Sequence, residues 1–202
     1  MGRASTGAAR MVGVVLVELA TVVATLGLCQ GCTPVQATHT YSVATRGPVT
    51  GNVEEFAAYA SAVYDDHRGW SQDGRVRFVR VPQGGDFTLW LATPDQMASF
   101  SGGCSAEYSC RAGRDVVIND DRWTKGPVTP GWNGVADYRT MVINHETGHW
   151  LGLGHQNCAK PGDPALVMQQ QSISLQGCVA NPWPLPPERD TVARTEGLRP
   201  AR

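Results

Sequence analysis

The sequence has almost no charge imbalance: across 202 residues, 17 lysines and arginines face 18 aspartates and glutamates, a net charge of −1. Without a basic stripe there is no electrostatic footprint for nucleic acid, and that class of partner is set aside. No segment repeats, which excludes solenoids and propellers. Among Cys104, Cys110, Cys158 and Cys178 no CxxC pair occurs, which argues against a zinc–thiolate cluster. No DxDxDG loop surrounds Asp65 and Asp66, so that pair reads as a solvated helix end, not a calcium site. Charged residues are only 17% of the chain, but hydrophobic residues reach 42%, the composition of a folded globular protein. The length suits one domain with processed or flexible ends.

What is present begins with an export signal. Arg3 and Arg10 form a basic start, and an apolar run over 11–28 is broken only by Glu18. Val35-Gln36-Ala37 offers a cleavage triplet. The run is also just long enough for a retained membrane anchor, although Glu18 would cost about 2.5–3.5 kcal/mol at a bilayer centre. Lipidation at Cys29 or Cys32 is a third mode of attachment. The organisation expected is a leader or anchor over 1–37, a linker over 38–52, a domain over 53–187 and a disordered tail over 188–202. Localisation is then secreted or cell-surface.

Four cysteines lie beyond the leader: Cys104, Cys110, Cys158 and Cys178. An even number in an exported chain argues for two disulfides. Of the three pairings, Cys104–Cys110 with Cys158–Cys178 is the expectation. Residues 53–67 carry Phe56, Ala60, Val63 and Tyr64 at helical spacing behind Asn52 as a cap. Residues 75–81 alternate like a strand with one wet face, and 87–92 form a more continuously apolar, deeper strand. Residues 96–100 read as a short helical turn, 114–119 as a third strand, and Asp120 and Asp121 as its exit. The longest helical pattern covers 135–153. Tyr138, seven residues before His145, is expected in the core, and the tryptophans in the core or lining a cleft. His39 and His67 are isolated and receive no role.

Three of the five histidines fall within the eleven residues HETGHWLGLGH, 145–155. On a helix, His145 and His149 stand on one face with Cβ atoms about 5–6 Å apart, so both imidazoles can reach one ion. Glu146, a residue further round, falls short of that ion but reaches a water beside it. A catalytic zinc takes three protein ligands and keeps a fourth position for water. An unbroken helix would carry His155 too far along the axis. Gly152 can adopt the left-handed conformation that ends a helix and turns the chain, which makes His155 the third ligand. Chance assembly of these five residues is on the order of one in ten million per start position.

The pattern HExxHxxGxxH, carried by His145, Glu146, His149, Gly152 and His155, resembles the signature of the metzincin zinc peptidases. That clan has a tight turn with a methionine beneath the metal, and Met168 in ALVMQQ (165–170) is placed to be its counterpart. More narrowly, the chain resembles uncharacterised secreted actinobacterial proteins with a metzincin-like domain of unknown function. This likeness spans about 45–184 and rests on HRGW (67–70), VVIND (116–120), DYRTMVINHETGHWLGLGH (137–155), VMQQQS (167–172) and GCVANPWP (177–184).

The resemblance implies an α+β, compact zincin domain, with a small twisted sheet, an N-terminal helix and a zinc-binding active-site helix. It implies one Zn²⁺ per chain held by His145, His149 and His155, with Glu146 as general base and then acid in peptide hydrolysis. A protein or peptide substrate would lie extended along an edge strand, 87–92 or 114–119, with the protein acting as a monomer. The sequence departs from several metzincins in having Gln170 where a tyrosine hydroxyl follows the turn methionine, and it leaves no room for a sizeable propeptide. The alternative from another class is a catalytically silent, zinc-stabilised extracellular binding module. Retention of Glu146 speaks against it, because a structural site needs no base there.

Overall fold

The computed structural model describes residues 1, 2 and 34–199, and everything below concerns the unit from Thr33 onward. The expected leader therefore lies mostly outside the described residues. Its boundary at 37 does not: Gln36 and Ala37 already donate their backbone N–H groups to Arg75. Among the described residues, no helix is long and apolar enough to cross a membrane.

The fold is a mixed α/β domain around a five-stranded sheet. Strand β1 runs Ala37–Arg46, β2 Val76–Arg80, β3 Phe87–Ala92, β4 Cys110–Ala112 and β5 Asp115–Asn119. Their spatial order is β2-β1-β3-β5-β4, parallel throughout except for β4, which runs antiparallel to β5 on the outer edge. The segment 38–52, expected as a linker, thus contains a strand near the centre of the sheet. ATHTYSVATR lacks a strong apolar alternation, and its polar Thr40 is accommodated by a partner 46 residues away: Asp86 accepts from both the backbone N–H and the hydroxyl of Thr40.

Register explains how a six-residue link joins β2 to β3 although β1 lies between them. Tyr41 pairs with Arg80 on one side and with Phe87 on the other, so β2 takes the first half of β1 and β3 the second. The link crosses directly over β1. Gly85 makes that crossing with φ +91°, and a Cβ there would stand 2.9 Å from the Thr40 carbonyl oxygen. Glycine is obligatory at that point.

Helix α1 (Val53–Asp65) is capped by the Asn52 side chain, which accepts from Glu55 N–H. It lies with α3 (Val135–Trp150) on the sheet face formed by Tyr41, Phe87, Leu89, Leu91, Val116 and Ile118. Trp70 and Trp123 complete that core. On the opposite face Ala92 and Val117 pack with Met97, from the 3₁₀ helix Pro94–Ser99, and with Cys104. Asp120 and Asp121, expected at a strand exit, open the short helix α2 (Asp120–Lys125). Buried Asp120 accepts from Thr50 N–H, the Thr50 hydroxyl and Gly51 N–H, tying the start of α1 to the end of β5.

The second difference is at the C-terminus. Residues 188–202 were expected to be disordered, but Pro186–Thr195 form helix α4, with Glu188 and Val192 buried. Two prolines at the helix start need no N–H partners there, and Glu188 at the third position accepts the backbone N–H of Leu185 at 2.8 Å. Beyond the helix, Arg199 and Gln36 exchange two hydrogen bonds, which ties this segment back to the approach to β1.

Candidate metal centre

The second half of α3 is buried almost all round: Asn144, His145, Glu146, Thr147 and Gly148 are inaccessible or nearly so. His145 Nδ1 lies 2.8 Å from the Val167 carbonyl oxygen, and His149 Nδ1 lies 2.9 Å from that of Leu153. A carbonyl can only accept, so both Nδ1 atoms carry the proton and both Nε2 atoms are bare.

The helix ends after Trp150 in a Schellman motif. Leu153 N–H donates to Gly148 and Gly152 N–H to His149, with Gly152 at φ +94°. That turn does two things: it brings the Leu153 carbonyl back onto the His149 ring, and it sends His155 over the helix end. His155 Nε2 arrives 3.0 Å from His149 Nε2, and one ring nitrogen from each of the three histidines lies within 4.8 Å of the others.

The donor set fits one zinc ion. Zn–N distances of about 2.0–2.1 Å in a tetrahedron set ligand nitrogens roughly 3.3 Å apart; the His149–His155 pair stands at 3.0 Å, and all three nitrogens lie within 4.8 Å of one another. Burial pushes His145 down to about 3, helped by neighbouring His149, and burial lowers His149 and His155 as well. All three rings are therefore held in the neutral form that binds metal. Burial alone pushes the Glu146 carboxyl up to about 8, with no hydrogen bond among the described residues to offset it. Glu146 shares with the three histidines a cleft of about 510 Å³, also lined by Tyr108, Arg111, Met141, Gln170 and Ile173.

Met168 is fully buried below α3, so close that a Cβ on Gly148 would meet its sulfur at 2.4 Å. Its carbonyl accepts Gln156 N–H, joining this turn to the segment just after His155. Both expected disulfides are formed, Cys104–Cys110 and Cys158–Cys178, the second enclosing the Met168 turn. Gln170, two residues after Met168, lines the cleft. Tyr138 is wholly buried, its hydroxyl 2.9 Å from Ser172 Oγ.

The edge strand differs from expectation. Strands 87–92 and 114–119 are both interior, flanked on each side, and the free edge beside the site is β4. Three residues inside a Gly-, Ser- and Cys-rich loop carry too little pattern to read as a strand, and the Cys104–Cys110 bond holds them there. Arg111 on β4 donates through Nε and Nη2 to the His149 carbonyl, a cation at the C-terminal end of α3. Glu188, buried at the start of α4, was missed too. The proline pair with glutamate at the third helical position was the available signal.

This mixed α/β domain converges three imidazoles and one buried carboxyl group on a single cleft, which makes the cleft a candidate metal centre. The chain belongs to the family described as Protein of unknown function (DUF3152), whose model matches residues 35–186. Among solved structures it is similar to archaemetzincin from Methanopyrus kandleri, at 14% identity over 77% of this chain and 94% of that one, with a TM-score of 0.47. No curated protein matches the chain.

Proposed function

We propose that this domain is an exported zinc-dependent endopeptidase. One observation carries the reading: a ring nitrogen from each of three histidines converges on one place, and a buried carboxylate with no internal hydrogen bond opens onto the same cleft. A site built only to brace the fold has no use for that carboxylate. Zinc, when bound, lowers the pKa of a water towards about 7, polarises the scissile carbonyl and draws Glu146 into its ionised form.

Glu146 then accepts a proton from the attacking water on a carboxylate oxygen and passes it to the departing amine nitrogen. The His145 and His149 rings are locked by their Nδ1 hydrogen bonds, so neither tautomer nor orientation changes during the cycle. Gln170 offers a neutral amide donor in the cleft where a hydroxyl is absent. An extended peptide would add to β4, whose outer backbone edge is unpaired by any strand among the described residues. Export is supported by the basic-then-apolar N-terminal sequence and by the two disulfides, which persist in oxidising compartments.

The test is cleavage of a denatured protein mixture, mapped by mass spectrometry, with and without chelator. Glu146→Gln keeps size and polarity but cannot accept the proton. It should retain zinc and fold while turnover falls at least about 100-fold. Equal rates for the two proteins would remove Glu146 from the mechanism. A zinc-loaded, folded wild type that cleaves nothing would favour the silent binding module.

A further inference from the structure

The α4 helix places a carboxylate behind the metal site. Glu188 is 5% exposed, and its two oxygens accept three backbone N–H groups: Oε2 from Val167 at 3.0 Å and from Leu185 at 2.8 Å, Oε1 from Met168 at 2.8 Å. Among the described residues no cation pairs with it. Removing a carboxylate from water is costly unless something compensates its charge, and three neutral N–H donors compensate only in part. The burial shows in its pKa, which desolvation raises despite all three hydrogen bonds.

The connection to the histidines is a single peptide plane. Met168 N–H, which donates to Glu188, belongs to the same amide as the Val167 carbonyl, which accepts from His145 Nδ1 at 2.8 Å. Negative charge at the N–H end of an amide increases electron density at its oxygen, because hydrogen bonds in a chain polarise one another. The oxygen then holds the imidazole N–H more firmly, and the ring's other nitrogen becomes a better donor to a cation. Metal-binding histidines are commonly backed by a carboxylate directly. Here a peptide plane stands between the two. The charge left unpaired inside the protein is thereby aimed at the place where a divalent ion would sit.

We infer that Glu188 is a positioning residue of the metal site, acting on His145 through the Val167–Met168 peptide and raising affinity for the ion. This rests on the zinc reading above. The helix that carries it is fixed independently: Val192 is buried in the core, and Gln72 donates to the Arg189 carbonyl.

The experiment compares metal affinity in wild type, Glu188→Gln and Val192→Ala, by competition with a chromogenic chelator. Folding is checked in parallel by circular dichroism and urea titration. Glu188→Gln keeps the volume but replaces one acceptor oxygen with an NH₂ group that cannot accept. Zinc affinity should fall about 10- to 100-fold, and the visible absorption of the cobalt-substituted protein should shift as the His145 ring loses its backing. Val192→Ala weakens the same helix without touching the turn, and should leave zinc affinity and the cobalt spectrum unchanged.

Should Glu188→Gln not fold, Glu188→Asp, which keeps the charge but withdraws it from the turn, should show the same weakening. A Glu188→Gln protein binding zinc within twofold of wild type overturns the inference. So does an equal loss in Val192→Ala, which would mean that only the integrity of the helix matters. A wild type that takes up no zinc overturns the metal reading itself, and this inference with it, a result distinct from either.

Discussion

Gly148 sits inside the histidine motif, on the buried face of α3, and Gly148→Ala sets two effects of opposite sign against each other. Alanine in a helix interior is favoured over glycine by about 1 kcal/mol. The added Cβ, however, would stand 2.4 Å from Met168 Sδ and 3.1 Å from Trp70 Cζ2. Neither neighbour has free room. Met168 is 0% exposed and Trp70 is 1% exposed, its ring fixed by an Nε1–H bond to the Asn144 carbonyl. Overpacking of this kind costs roughly 1–3 kcal/mol, so the net change should be a loss of about 1 kcal/mol. For a domain of this size that is a fall in Tm of about 2–4 °C.

Urea unfolding of the metal-free protein measures the loss, and a double-mutant cycle locates it. Met168→Ala alone should cost about 2–5 kcal/mol through the cavity it leaves. In the double variant the Gly148→Ala methyl enters that space, so the helix preference is realised and Gly148→Ala should become stabilising, with a coupling of about 1–3 kcal/mol. A Gly148→Ala variant more stable than wild type would refute the packing argument, as would strict additivity in the cycle.

Replacing Cys158 and Cys178 together by alanine opens a loop with a sequence separation of 20 and should cost about 3 kcal/mol; denaturant titration of the variant checks this, and zinc retention should weaken because Met168 lies inside the loop. The pH dependence of the metal-free protein follows from two buried groups with opposite shifts. His145, lowered from 6.5 to about 3, leaves the unfolded chain binding more protons below pH 6.5, so stability falls as pH drops, by roughly 1.4 kcal/mol per unit where it acts alone. Glu146, raised from 4.5 to about 8, leaves the folded chain binding more protons above pH 4.5, so its contribution is lost as pH rises towards 8. Between 4.5 and 6.5 the two oppose one another, and urea midpoints should be flattest there, falling on both sides. A stability that climbs steadily from pH 6.5 to 8 without metal would contradict the assignment for Glu146.

Much of the centre was legible because its parts are local. His145, Glu146, His149 and Gly152 are fixed by helical spacing and one left-handed turn, and His155 follows from them. The strongly apolar β3 and the amphipathic α1 were legible for the same reason: each announces its buried face in its own residues. What escaped depends on partners distant in sequence. Strand β1 has little apolar signal, and its Thr40 is satisfied by Asp86, 46 residues away. Strand β4 is three residues held by a disulfide. Glu188 is charged and lies among prolines, and that composition ordinarily marks a solvated tail. Only the fold shows that its carboxylate meets Val167 and Met168.

Helix α4 also sets an order of events. A chain emerges N-terminus first, at roughly 5–20 residues per second. The sheet and α3 can therefore be complete while Glu188 has not yet appeared, and until it does the N–H groups of Val167 and Met168 lack the partner they have in the finished fold. The segment that closes the turn beneath the histidines is made after the sheet and after α3. On the inferred role of Glu188, full affinity for an ion is reached only after α4 has been made, and a chain cut short before residue 186 should hold zinc more weakly than one that includes the helix.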